Sequence, residues 1–180
     1  MGKVSLTEAG YERREAMIRH ACTADVECIA LVYNEAILEG GLTGHLEPLS
    51  LQNRRSWFLK HQDPYAIFVK IADSSVVGYA AISPYREGRE AFDKTCEISC
   101  YLSSEYRDRG FGKELIQHGI EHAVRTGFRI VTAIVLGGNS RSLGLLGKLG
   151  FSIFGRLPDA ASIRGSYSDH VYLSRLLRCT

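Results

Sequence analysis

The chain has 180 residues, enough for one domain with a sizeable core. Its 45% hydrophobic and 23% charged composition is that of an ordinary globular protein, and a formal net charge of +2 from scattered basic residues predicts no nucleic-acid partner. The opening stretch MGKVSLTEAGYERREAM lacks an apolar signal segment, Leu6 stands where a myristoylation signal has Ser or Thr, and no window approaches the ~18 apolar residues of a membrane span. No membrane partner is therefore expected. Five cysteines without a C-x-x-C pair read as reduced thiols of a cytoplasmic protein.

Residues 1–16 are polar and are predicted to form an N-terminal extension to a domain spanning 17–180. Met17–Cys22 reads as a short strand. Thr23, ahead of Asp25 and Glu27, marks a helix start, because a capping oxygen and early carboxylates satisfy free backbone N–H groups. Val26, Ile29, Ala30, Tyr33 and Ile37 then fall on one helical face. Gly40-Gly41 ends that helix, Leu42–Pro48 is a loop, and Ser50 opens a second helix carrying Arg54, Arg55, Trp57 and Phe58. Two strand-like runs, Ala66–Ala72 and Val76–Ser83, flank Asp73-Ser74-Ser75 and predict a hairpin. Pro84–Lys94 is a charged loop.

Cys96–Leu102 is the next strand, followed by a turn and a helix from Gly110 to about Arg125, closed by Thr126-Gly127. Arg129–Leu136 is a buried strand and Ser140–Leu149 a helix. Phe151–Gly155 and a final strand near His170–Leu176 complete an order β-α-α-β-β-β-α-β-α-β, a mixed α/β single domain. On the helix after Gly110, Phe111, Leu115, Gly119 and Ala123 form the apolar face, which predicts that His118 and His122 point to solvent. With no third ligand nearby, no metal site is expected.

The sharpest motif is Arg107-Asp108-Arg109-Gly110-Phe111-Gly112-Lys113, placed between a strand and an amphipathic helix. Glycine lets backbone approach a phosphate closely, and the first N–H groups of a helix lack intrahelical partners. A pyrophosphate is a natural ligand there, with Arg107, Arg109 and Lys113 adding charge. The spacing fits neither G-x-G-x-x-G nor G-x-x-x-x-G-K-[ST]. A glycine-containing helix start with solvated arginines is the plainer alternative.

Arg107-x-x-Gly110-x-Gly112 resembles the [RQ]-x-x-G-x-[GA] signature of the GNAT superfamily of N-acetyltransferases. Asn139-x-x-Ser142-x-x-Leu145 with Leu149-Gly150-Phe151 is similar to that superfamily's downstream segment. Tyr33-Asn34-x-Ala36, Glu47-Pro48, Arg54-Arg55-x-Trp57-Phe58, Val77-Gly78-Tyr79-Ala80, Glu97-x-Ser99-x-Tyr101 and Asp169 resemble the phosphinothricin and methionine-sulfoximine acetyltransferase branch. The resemblance implies a central, mostly antiparallel sheet with a splayed strand pair, acetyl-CoA as co-substrate, a small primary amine as acceptor and direct attack. Dimerisation is common in the branch, so a homodimer is an expected assembly.

On that resemblance, Cys100, Tyr101 and Leu102 hydrogen-bond the pantetheine arm through backbone groups, and the turn Arg107, Asp108, Arg109, Gly110, Phe111, Gly112 and Lys113 holds the pyrophosphate. Asn139 reaches the pantetheine amides or, alternatively, only caps a helix, and Ser142 caps or contacts the cofactor near the last helix. Glu97 is the expected general base, or else a strand-edge glutamate ion-paired to a surface cation. Tyr85, Arg86 and Arg89 are candidate acceptor contacts, the arginines because they grip carboxylates, or else are ordinary loop residues. Leu146 stands near where relatives carry a Tyr or His acid. An acyl-cysteine at Cys100 is disfavoured for want of a nearby His. Rival readings are an acetyltransferase for a peptide N-terminus or polyamine, and a non-catalytic CoA-binding protein.

Overall fold

The computed structural model describes residues 16–177. The predicted extension, apart from Ala16, lies outside the described residues. The elements run β1 (Met17–His20), α1 (Val26–Glu39), α2 (Leu51–Leu59), β2 (Ala66–Ala72), β3 (Ser75–Pro84), β4 (Thr95–Leu102), α3 (Phe111–Arg125), β5 (Ile130–Leu136), α4 (Ser140–Lys148), β6 (Ser152–Ile163) and β7 (Ser166–Leu176). One seven-stranded sheet has the order β1-β2-β3-β4-β5-β7-β6. All its pairs are antiparallel except β4 with β5.

The signal at Ser50 acts as expected, whereas Thr23 does not cap α1: Thr23–Asp25 form a 3-10 turn, and α1 begins at Val26 without a side-chain cap. Ser50 caps α2 by accepting from the Asn53 N–H at 3.2 Å. Asp73 and Ser74 both adopt positive φ, 48° and 65°, which gives the β2–β3 turn the twist that suits a tight hairpin. Strand alternation divides the core into two layers. Phe68, Ile82, Cys96, Ile98, Leu115 and Phe128 pack on the α3 side, whereas Ile29, Tyr33, Ile37, Val69 and Tyr79 pack beneath α1 and α2.

Two expectations need correction. His122 is buried, not solvent-facing: its Nε2 bonds the Pro64 carbonyl at 2.9 Å and its ring packs on Phe68. His118 is half-buried against the same ring. The apolar face of α3 is wider than its leucines and glycines suggest, because a histidine with one satisfied nitrogen packs as an aromatic. Second, the chain ends in two long strands, not a short segment and one strand. β6 covers the whole of Ser152–Ile163 and turns back at Arg164-Gly165, both at positive φ. Its exposed, irregular pairing hides the alternation that would have revealed it.

Two buried cations were not read from the sequence. Lys70, 2% exposed, binds the Ala16 carbonyl and Glu114 and lies 4.7 Å from the Phe111 ring centre, fastening α3 to β2. Arg54, 5% exposed, stacks 3.8 Å over Tyr33 and 4.4 Å over Trp57. No described helix is long and apolar enough to cross a membrane.

Candidate active site

β4 and β5 pair only through Thr95–Glu97 and Ile130–Thr132. Beyond that point the parallel strands diverge, so Ile98–Leu102 of β4 has no partner on its β5 side. A groove of about 560 Å³ opens in the gap, lined by Ile98–Leu102 on one bank and Ala133–Val135 on the other. Backbone N–H and C=O groups are obligatory hydrogen-bonding groups, so an unpaired strand edge inside a groove is a ready partner for an extended amide-bearing ligand.

The groove runs on to the start of α3. Gly110 precedes that helix at φ 87°, and the first intrahelical bond there is from the Glu114 N–H to the Gly110 carbonyl. The N–H groups of Phe111, Gly112 and Lys113 therefore lie ahead of the helical ladder, and the helix dipole adds to their attraction for an anion. A Cβ on Gly112 would stand 3.3 Å from Leu102 and 3.4 Å from Leu145, so a side chain there would crowd both banks. Open backbone, a free helix start and an uncluttered groove fit a pantetheine pyrophosphate of the acetyl-CoA type.

Of the cofactor residues expected from sequence, Cys100, Tyr101, Leu102, Arg107, Asp108, Gly110, Gly112, Lys113, Asn139 and Ser142 line this groove. Arg109 and Phe111 do not. Arg109 stacks 4.8 Å over Tyr106, and Phe111 packs beside the same ring. Arg107 is engaged by protein groups: Nη2 meets Glu39 Oε2 at 2.6 Å, Nη1 meets Glu39 Oε1 at 2.7 Å, and Nε donates to the Leu102 carbonyl at 3.3 Å. Asn139 caps α4, its Oδ1 accepting from the Ser142 N–H at 3.1 Å. Its side-chain N–H₂ is left over from the cap.

Glu97 is the last paired residue of β4 before the split. It shares a face with Ser99 and Tyr101, the face that packs toward α1 and α2, while Ile98, Cys100 and Leu102 point toward α3. No ion pair or hydrogen-bond partner of Glu97 is found among the described residues, and burial raises its pKa. That disfavours the ion-paired surface reading. Ser83 sits directly across from it on β3 and bonds His61 Nε2 at 2.9 Å. His61 Nδ1 lies 2.9 Å from the Trp57 carbonyl, which can only accept, so Nδ1 carries the proton and Nε2 accepts from the Ser83 hydroxyl. His61, Ser83 and their place beside Glu97 were missed, because a helix-end histidine and a strand serine carry no spacing signal.

On the same side of the sheet, the Tyr33 hydroxyl bonds Thr43 Oγ1 and His45 Nδ1, each at 2.7 Å, and its ring packs edge-on against Tyr101 at 4.9 Å. Leu146 is buried and lines the groove, with no proton to give. Burial pushes the Cys100 thiol up to about 12, which keeps it protonated and unsuited to nucleophilic attack. Tyr85, Arg86 and Arg89 sit outside the groove. Tyr85 packs against Phe92 at 5.9 Å, Arg86 lies over Tyr85, and both arginines are exposed. Among the described residues no three metal-ligating side chains cluster.

Residues 31–151 match the family described as "Acetyltransferase (GNAT) family". The chain is 34% identical over 160 residues to the L-methionine sulfoximine/L-methionine sulfone acetyltransferase of Pseudomonas aeruginosa, covering 88% of this chain and 92% of that one. It is 29% identical over 158 residues to the phosphinothricin N-acetyltransferase of Streptomyces viridochromogenes, covering 88% and 86% respectively. Among solved structures, a GNAT superfamily phosphinothricin acetyltransferase from Sinorhizobium meliloti, in complex with AcCoA, superposes with a TM-score of 0.84 at 31% identity, over 90% of this chain and 88% of that one. The diverging strands, the glycine turn and these likenesses lead to one conclusion: the chain is an acetyltransferase and belongs to the GNAT family.

Proposed function

We propose that the protein is a cytoplasmic, acetyl-CoA-dependent N-acetyltransferase acting on the primary amine of a small amino-acid-like substrate by direct attack. The observation that carries this reading is the position of Glu97. A partly buried carboxylate with no partner among the described residues stands where β4 leaves β5, beside a groove suited to pantetheine. The named activities of the relatives support the acceptor class.

When bound, acetyl-CoA supplies an acetyl group as a thioester. The chain supplies the rest. The N–H groups of Phe111, Gly112 and Lys113 receive the pyrophosphate, and the free edge of Cys100–Leu102 aligns the pantetheine amides. Glu97 takes one proton from the acceptor ammonium, directly or through water, and leaves a neutral amine whose lone pair forms the new C–N bond as the C–S bond breaks. A raised carboxyl pKa makes this acceptance more favourable near neutrality. Backbone N–H groups on the open β4 edge stabilise negative charge developing on the carbonyl oxygen, a contribution typically ~3 kcal/mol per donor. With leucine at position 146, the nitrogen sheds its second proton to water as the amide forms, and the departing thiolate takes a proton from water in exchange.

The test is thiol release from acetyl-CoA against a panel of free amino acids, peptides and polyamines. Turnover confined to free amino acids is expected. Turnover confined to peptides or polyamines overturns the acceptor class, and tight binding of acetyl-CoA with no turnover on any amine overturns the catalytic reading. A homodimer belongs to this reading, with the exposed Ile153, Phe154 and Leu157 of β6 as the apolar surface a second copy would cover. Sedimentation at the monomer mass would overturn that part.

A further inference from the structure

Ser83 lies directly across from Glu97 in the antiparallel β3–β4 pair, so the two side chains leave the sheet on one face. The Cβ atoms of such a pair stand roughly 5 Å apart, which brings a serine hydroxyl within reach of a glutamate carboxylate, directly or through one water. What that hydroxyl offers Glu97 is decided on its other side, by His61. The Trp57 carbonyl accepts from His61 Nδ1–H at 2.9 Å. Nε2 is left with a lone pair, and the Ser83 O–H donates to it at 2.9 Å. A hydroxyl carries one proton. Committed to His61, it leaves Ser83 Oγ with only lone pairs to present to β4.

The ring that imposes this direction is itself fixed. It packs on Trp57 with centroids 4.4 Å apart, and the His61 backbone N–H donates to the Phe58 carbonyl at 3.1 Å. The segment after α2 is pinned to α3 by the bond from His122 Nε2 to the Pro64 carbonyl. His61 lines a cavity of about 200 Å³ together with His20 of β1, His122 of α3 and Asp63 of its own loop. Arg54 of α2 stacks on the same Trp57 indole. Burial lowers the pKa of His61, the Trp57 carbonyl opposes that, and the Arg54 guanidinium adds to it, so the ring stays neutral near pH 7. Around Glu97, β3 contributes Ser83 and β5 contributes Thr132, whose hydroxyl is spent on the Cys96 carbonyl at 3.1 Å. Neither is charged. Cys96 points to the other face, its thiol pushed up to about 12 by burial.

We infer that His61 is a positioning residue for the transfer: by drawing the Ser83 hydroxyl proton to itself, it denies the Glu97 carboxylate a donor, and the base's lone pairs stay free for the acceptor ammonium. The inference rests on the proposed N-acetyltransferase reading. A hydrogen bond given to a carboxylate favours its charged form and weakens it as a base. Once Glu97 has taken its proton, the acid form can donate to the Ser83 lone pair instead. Both halves of the proton's transfer are thereby favoured by the direction of one hydroxyl.

The test uses the full chain with His61→Phe, which keeps a ring against Trp57 but has no acceptor, on the wild-type, Ser83→Ala and Ser83→Thr backgrounds. The acceptor is the best amine of the panel. On the wild-type background the released hydroxyl turns to Glu97, and the acid limb of kcat should move down by about one pH unit. The plateau should fall by about threefold as the base weakens. The KM for acetyl-CoA should not change, since neither His61 nor Ser83 lines the groove. The shift should persist with Ser83→Thr and vanish with Ser83→Ala, where there is no hydroxyl to release. An unmoved acid limb, or an equal shift with and without the hydroxyl, overturns the inference and leaves His61 a packing residue. Nitrogen-15 shifts of the wild-type ring give a check without substitution: the proton should sit on Nδ1, and a proton on Nε2 overturns the inference. If wild type turns over no amine, the functional reading fails on its own account. The His61–Ser83–Glu97 relation is then judged by carbon-13 titration of the Glu97 carboxyl, identified by its loss in Glu97→Gln. An unaltered midpoint in His61→Phe overturns it.

Discussion

Arg107 and Glu39, 68 residues apart in the chain, form a two-pronged ion pair that fixes the end of β4 to the end of α1. The arginine of the phosphate signature is thus turned toward protein, so that on the proposed reading the anion would be held by backbone N–H groups and Lys113. Its pairing raises the arginine's pKa and lowers that of Glu39, each chiefly through the hydrogen bonds between them.

Removing either partner should therefore act first on stability. Glu39→Gln, which does not line the groove, is expected to cost about 1 kcal/mol, a Tm loss of roughly 2–4 °C, since the carboxylate is partly exposed and screened. It should also raise the KM for acetyl-CoA, because the turn loses its anchor. Thermal denaturation with and without acetyl-CoA measures both. An unchanged KM would mean that the turn holds its shape without the Arg107–Glu39 ion pair.

Glu97 should trade stability for activity. Burial raises its folded pKa, so between the unfolded and folded values the native state holds more protons than the unfolded chain, and stability falls as pH rises through that window. Glu97→Gln removes the charge and should unfold at a higher temperature than wild type near pH 7. Its kcat should fall by about 10²-fold or more. In wild type the acid limb of kcat should lie above the usual carboxylate range. A variant with near-normal kcat, or one that is less stable, would remove Glu97 from this role.

Asp25 titrates in the opposite sense. Its hydrogen bonds from Arg19, aided by the Cys22 N–H at 2.8 Å, hold its pKa near about 2, against an ordinary 3.8. This contribution is present above the unfolded value and is lost as pH falls from about 4 to 2. It amounts to roughly 1–2 kcal/mol at neutral pH. Asp25→Asn should flatten the denaturant midpoint over that acid window while lowering it at pH 7.

Lys70 and Glu114 make an unequal pair, since Lys70 is buried and Glu114 half-exposed. Glu114→Ala leaves an ammonium in the core with the Ala16 carbonyl and the Phe111 ring but no counter-charge, and should cost about 2–3 kcal/mol. Lys70→Met leaves a carboxylate that water can reach and should cost less. Chemical denaturation of the two variants decides, and a larger loss in Lys70→Met would reverse the argument.

What the sequence disclosed, and what it did not, follows from the range of the interactions. The glycine turn was legible because close backbone approach to an anion restricts residue type locally. α1 and α2 were legible from periodicity and Ser50. The Arg107–Glu39 pair and the His61–Ser83 contact join residues far apart in the chain, and no local pattern marks them. Lys70 reads as the polar member of an alternating strand, and only the third dimension shows it inside. The β6–β7 ribbon was cut short because a strand exposed on both faces, containing Pro158 and pairing irregularly, loses the alternation that identifies strands.

The split between β4 and β5 gives this domain two inner sheet edges, a feature that proteins elsewhere take care to cover. On the proposed reading, the covering strand would be the ligand itself. Occupancy should accordingly be felt as cohesion: an extended amide chain lying in the gap completes a continuous sheet, and the protein's resistance to unfolding should climb with the logarithm of ligand concentration.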